Sequence, residues 1–250
     1  MNTPSGLLPS VPTMIADLIK GASCIDLAPK LEKGIPRYPT HPHLIIDPTI
    51  GHERDGYYCQ TINMPEHIGC HCDAPAHIHK NLMHKTIESA APDCLVGLAK
   101  VYDFSDRDWK PGELLTLEDI EDYEAAHGSP VSGGEIALVN FGWLERYWST
   151  SDKTNFYALN QPGMDDAAAK FFLDRGVKAV GADTIACEIA MVNGVYYDNP
   201  GHGRYWLPND ILILECVANL EKVPREVFLF SAPLPIAGGS GSPLRPLAFF

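Results

Sequence analysis

Residues 165–183 read DDAAAKFFLDRGVKAVGAD, and the order of elements within them decides the fold class. Ala168, Phe171 and Phe172 recur at helical spacing across Asp165–Arg175, and Gly176 stands where a left-handed residue ends a helix. Val177–Asp183 then reads as a strand. The same succession occurs upstream, where Leu98–Phe104 and Glu135–Phe141 are strands rich in Val, Leu and aromatics. Between them Leu117–Ala126 forms a helix, with Thr116 at its N-cap and Asp119 three residues on. Strand, helix and strand in that order favour parallel neighbours joined by a right-handed crossover. Further strands are expected at Ile211–Val217, Val227–Ser231 and the apolar segment Pro246–Phe250. The expectation is an α/β chain, a mixed sheet with flanking helices, forming one domain over residues 23–250.

Residues 1–22 stand apart from that domain. Residues 1–10 read as a loose arm, and Val11–Lys20 as a short helix with an apolar stripe of Met14, Ile15, Leu18 and Ile19. Such a helix either packs on its own domain or reaches across to a second subunit. Ile25–Leu27 reads as a first strand, after which Gly34, Pro36, Pro39, Pro42 and Pro48 impose extended or turn geometry. Cys59–Met64 alternates weakly, as a strand leading into the next segment.

That segment, His67–His77, reads HIGCHCDAPAH. His67, Gly69, His71, Asp73, Pro75 and His77 fall on one parity and Ile68, Cys70, Cys72, Ala74 and Ala76 on the other, the period-two pattern of an extended strand. A helix would put Asp73 about 200° round from His71 and would tolerate Gly69 and Pro75 poorly. In a strand His71 and Asp73 are neighbours about 6.6 Å apart, within reach of one ion. His67 lies about 13 Å from His71 along a straight strand, so its participation requires a kink at Gly69. Two imidazoles and a carboxylate suit Zn²⁺, Mn²⁺ or Fe²⁺ with positions open for water and substrate. His77, beyond the turn that Pro75 imposes, is placed as a general base. Parity points Cys70 and Cys72 into the core. His79 and His84 read as loop histidines, and His41, His43, His52 and His127 carry no signal. Glu215, an acid embedded in an apolar strand, requires a cation or several donors, with Arg204 and Arg245 as the alternatives to a metal.

The chain of 250 residues holds 32 acidic against 19 basic side chains, a net charge of −13, which excludes nucleic acid and anionic membrane surfaces as expected partners. The first cation is Lys20 and no long apolar run precedes it, so neither a secretory signal nor a membrane helix is expected and residence is cytoplasmic. Seven cysteines without framework spacing suit reduced, buried thiols.

At His67, Gly69, His71, Asp73, Pro75 and His77 the sequence resembles the cyclase-type metal-dependent hydrolases, which include bacterial kynurenine formamidase and isatin hydrolase and carry H-x-G-T-H-x-D-x-P-x-H. Cys70 stands where that family usually has threonine. The likeness extends through Asp26-Leu27, Gly34–Pro42, Gly181–Thr184 and Gly238–Pro243. It implies a swivelling β/β/α fold, metal ligation by His67, His71 and Asp73, and proton acceptance by His77. It further implies one or two Mn²⁺ or Zn²⁺ ions per subunit, the second held with His202 and Glu215, and a homodimer or homotetramer acting on a small molecule.

The reaction expected is hydrolysis of an arylformamide or an isatin-like cyclic amide. A lactone hydrolase, a non-haem iron oxygenase built on His71, Asp73 and His202, and a purely structural ion are the rivals. Gly238–Gly241 either offers backbone N–H groups to an oxyanion or makes a tight turn. Tyr38, Trp143 and Trp206 either wall the substrate pocket or fill the core.

Overall fold

A computed structural model describes residues 10–151 and 154–250. Nine strands form one mixed sheet in the order Cys24–Asp26, Leu247–Phe249, Glu226–Ser231, Leu95–Asp103, Ile136–Asn140, Ala179–Ala182, Leu212–Glu215, His71–Asp73 and Gly241–Pro243. The four strands from Leu95–Asp103 to Leu212–Glu215 run parallel, and every other pairing is antiparallel. The expected strand–helix–strand succession is thus the parallel centre of a mixed sheet.

Alternation along these strands separates two cores. Ala137 and Val139 face one that also holds Tyr102, Phe141 and Phe172. Ile136 and Leu138 face another, supplied largely by strands, round which the sheet curls. Cys70 and Cys72 lie in this second core at 2% and 0% exposure, as parity requires. The helix Leu117–His127 begins with a reciprocal capping box between Thr116 and Asp119. The helix Asp166–Asp174 is capped by Asp165, whose side chain accepts the Ala168 N–H, and Gly176 follows it at φ +68°.

Two features depart from the expectation. The Pro-rich approach contains a strand, Ile45–Ile50, which pairs with Cys59–Asn63 in a separate hairpin. Pro48 is accommodated where the register shifts, the kind of irregularity that lets proline into a ladder. The terminal helix, Val11–Gly21, forms as read but buries no residue. Its Met14, Ile15, Leu18 and Ile19 are exposed, so it does not pack on its own domain. The N-terminal arm falls outside the described residues except for Ser10. Among the described residues no helix is long and apolar enough to cross a membrane.

Candidate metal centre

The His67–His77 segment is a short strand with a bend at each end. Only His71–Asp73 is extended in the sheet. Gly69 takes φ +65°, a left-handed conformation that glycine adopts without penalty, and the chain turns back there as His67 required. The turn brings His67 Nδ1 to 2.7 Å from Asp73 Oδ1. Beyond Asp73, a single turn over Pro75–His77 carries His77 back, with Nε2 4.0 Å from Asp73 Oδ2 and its ring centroid 4.2 Å from that of His67.

Sheet register supplies Glu215. His71 and Glu215 are directly paired across the antiparallel strands, so their side chains share a face, and Glu215 Oε2 lies 3.1 Å from His71 Nε2. On the other edge Gly241 pairs with Asp73. A Cβ on Gly241 would fall 2.6 Å from His67 Cε1 and 2.5 Å from the Cys72 carbonyl oxygen, so only glycine leaves His67 its place.

His202 enters from a wide turn over Gly201–Tyr205, closed by the Trp206 N–H on the Gly201 carbonyl at 2.7 Å. The Trp206 indole occupies the space where a Gly201 Cβ would sit and donates its own N–H to the Ala169 carbonyl. His202 Nε2 then lies 3.2 Å from Glu215 Oε1 and 3.6 Å from Asp73 Oδ2.

Each of the three histidines ties one ring nitrogen to an acceptor outside the cluster and turns the other inward. His71 Nδ1 donates to the Gly69 carbonyl at 2.9 Å, leaving Nε2 buried without a hydrogen bond. His202 Nδ1 donates to Glu188 Oε2 at 2.8 Å. The Ser240 hydroxyl donates to Glu66 at 2.6 Å, so its oxygen accepts from His67 Nε2 at 2.8 Å and leaves Nδ1 facing Asp73. Such outer partners fix the tautomers that ligate cations.

The electrostatics match. Asp73, Glu188 and Glu215 are 1%, 0% and 5% exposed, and no lysine or arginine is paired with any of them among the described residues. Burial raises the Asp73 carboxyl, but His67, His77 and His202 outweigh it and hold it well below the usual carboxylate range. Burial lowers His71, yet Glu215 and Asp73 outweigh it and push it up to about 9. His202 is likewise raised by Asp73, Glu188 and Glu215 against its burial. Burial holds His77 below the usual imidazole range despite Asp73.

The donor set falls into two overlapping groups, His67–His71–Asp73 and Asp73–His202–Glu215, and the nitrogen and oxygen ligands fit a divalent ion in either. All six residues singled out from the sequence, His77 included, meet here. The rival iron triad of His71, Asp73 and His202 is split between the two groups. Arg204 pairs with Asp166 and Asp198 and Arg245 with Asp26, so neither neutralises Glu215.

Two readings left open by the sequence are decided by the structure. The amides of Gly238, Gly239 and Ser240 are taken by Glu88, Ile236 and Glu66, so that segment is a tight turn and not an oxyanion cradle. Trp143 and Trp206 are core residues, and of the proposed aromatic wall Tyr38 alone lines the cavity. Sequence reasoning missed His41, Glu66 and Glu188. Beside the cluster opens a cavity of about 290 Å³ that His41, Tyr38, Ile78, Ile185, Ala190 and Asn199 help to line.

Known proteins share this fold. An isatin hydrolase of Roseibium aggregatum is 29% identical over 192 residues, 73% of this chain and 71% of that protein. Isatin hydrolase A from Ralstonia solanacearum superposes with a TM-score of 0.81 at 26% identity, covering 99% of each chain. An isatin hydrolase solved with the product analogue thioisatinate gives 0.82 at 25% identity, over 97% of this chain and 99% of that one. The model of the family described as putative cyclase matches residues 25–189, from the first sheet strand through the histidine motif to the segment containing Glu188. The chain is a member of that cyclase family.

Proposed function

We propose that the protein is a metal-dependent hydrolase that opens a cyclic amide of the isatin type. The observation that carries this reading is the inward turn of three imidazole nitrogens onto Asp73 and Glu215, beside a cavity that is also lined by His77. His67, His71 and Asp73 would hold one divalent ion, Mn²⁺ or Zn²⁺, and His202 and Glu215, sharing Asp73, would hold a second. When bound, such an ion supplies Lewis acidity that polarises a carbonyl and acidifies water.

The chain's own groups do the rest. His77 accepts the proton of the attacking water as its hydroxyl joins the carbonyl carbon, and Asp73 at 4.0 Å stabilises the imidazolium. His77 then gives that proton to the nitrogen as the C–N bond breaks. Among the described residues no lysine or arginine lines the cavity, which supports a neutral ring over an anionic substrate. Ile78, Ile185, Ala186 and Ala190 offer the apolar wall a flat ring requires.

Metal-loaded protein assayed on isatin, a formanilide and an aromatic lactone discriminates the substrate classes. Turnover of the lactone alone would favour C–O hydrolysis instead. His77→Ala should retain metal and lose about 10²–10⁴-fold in kcat; full activity would sink the base assignment. The exposed apolar stripe of the terminal helix supports a homodimer or homotetramer. A single-chain mass by light scattering would overturn that.

A further inference from the structure

The Pro-rich approach, Gly34 to Pro42, is built round one guanidinium. Arg37 Nη1 donates to the carbonyls of Tyr38, Pro39 and His41 at 3.2, 2.8 and 2.6 Å, and the His41 N–H closes a turn on the Tyr38 carbonyl at 3.0 Å. A loop with no ladder of its own is thereby given a fixed shape, and it sets the His41 side chain on the wall of the substrate cavity. The His41 ring centroid lies 5.9 Å from that of His67.

Its tautomer follows from one bond. His41 Nδ1 lies 3.2 Å from the carbonyl oxygen of His67, and a carbonyl only accepts, so Nδ1 carries the hydrogen. The other nitrogen of a neutral imidazole is then an acceptor. Tyr38, Thr40 and Asn199 also offer polar groups to the cavity, but their hydroxyls and amide can donate as well as accept, whereas His41 Nε2 in this tautomer only accepts.

We propose that His41 is a specificity-determining residue that accepts the amide N–H of the substrate. This rests on the cyclic-amide reading above and extends it. A lactam nitrogen presents one hydrogen to His41 Nε2 while receiving a second from His77, and leaves as an amine. A lactone presents a lone pair to that same acceptor, and an N-methyl lactam presents no hydrogen, so both are disfavoured. A site built to pair a buried N–H discriminates strongly against analogues that lack it.

The probes are isatin and N-methylisatin, compared by kcat/KM in wild-type protein and in His41→Phe. Phenylalanine keeps a ring in place and so opens no room for the methyl group. Metal content is measured for each protein. The wild type should prefer isatin by about tenfold to a hundredfold, and the variant, with metal still bound, should fall to within about twofold of no preference. A preference that survives in His41→Phe overturns the assignment, as does a wild type without preference. Loss of metal at unchanged preference also overturns it, because it reduces His41 to a brace for the His67 carbonyl. A wild type that hydrolyses neither compound overturns the cyclic-amide reading as well, and that result is in hand before any variant is made.

Discussion

Glu188 offers the sharpest test of how the metal centre is held. Its carboxylate is fully buried and serves three donors: Oε1 accepts the Gly201 N–H at 2.6 Å, and Oε2 accepts the His202 N–H at 3.0 Å and His202 Nδ1–H at 2.8 Å. Glu188→Gln keeps the shape and leaves one oxygen for these donors. If the oxygen stays on His202, the new NH₂ confronts the Gly201 N–H, and a buried donor is orphaned at about 1–3 kcal/mol. For a chain of this size that lowers the melting temperature by roughly 3–10 °C. If the amide rotates, His202 loses its acceptor, and with it the outer contact that turns Nε2 toward Asp73 and Glu215. Removing such a contact typically costs about 10–100-fold in metal affinity. Titration against a chromogenic chelator separates these effects from simple destabilisation. Glu188→Leu leaves His202 Nδ1 without an acceptor in any orientation, so a Leu variant that binds metal within about twofold of wild type would refute the claim that Glu188 orients His202.

Three further outcomes are expected. Gly241→Ala places a methyl group 2.5 Å from the Cys72 carbonyl oxygen and 2.6 Å from His67 Cε1, so it should cost about 1–3 kcal/mol in urea unfolding and weaken metal binding together; unchanged affinity would show that His67 does not need the space. Stripping the metal with a chelator should lower the melting temperature, by the equivalent of about 3 kcal/mol when free ion had stood a hundredfold above its dissociation constant, and re-addition should restore it; calorimetry of the stripped protein checks this. Asp183 caps the helix Trp143–Tyr147 by accepting the N–H groups of Phe141, Trp143 and Leu144, and burial outweighs those bonds to push its carboxyl up to about 6. A raised carboxyl contributes stability below its ordinary value that is lost as pH climbs through 6, so the deficit of Asp183→Asn relative to wild type should shrink by about 1 kcal/mol between pH 5 and pH 7. A deficit independent of pH would contradict it.

What the sequence made legible was local. His71 and Asp73 were readable as one face because strand parity is a two-residue rule, and the bend at Gly69 followed from the reach His67 needed. Glu215 announced itself as a carboxylate in an apolar strand, although only sheet register identifies His71 as its partner. His202 has no periodic signal, since it sits in a wide turn fixed by Trp206, and it came from family likeness alone. Glu188 lies in an irregular stretch, where its role depends on a chain reversal that brings the amides of Gly201 and His202 to it. Glu66 acts through Ser240, distant in sequence. His41 looked silent because what positions it is Arg37 gathering backbone carbonyls, and those leave no residue pattern. The hairpin strand Ile45–Ile50 was hidden by Pro48, which sits at its bulge.

The placement of His71–Asp73 between Leu212–Glu215 and Gly241–Pro243 has a consequence for biosynthesis. The histidine strand emerges from the ribosome early, and both of its neighbours emerge after most of the sheet. Until then its two edges are unpaired, its buried thiols Cys70 and Cys72 are open to oxidation, and Glu215 and His202 do not exist to balance Asp73. The donors of His67–His71–Asp73 are thus made together early, whereas the group Asp73–His202–Glu215 is complete only when the closing strands arrive.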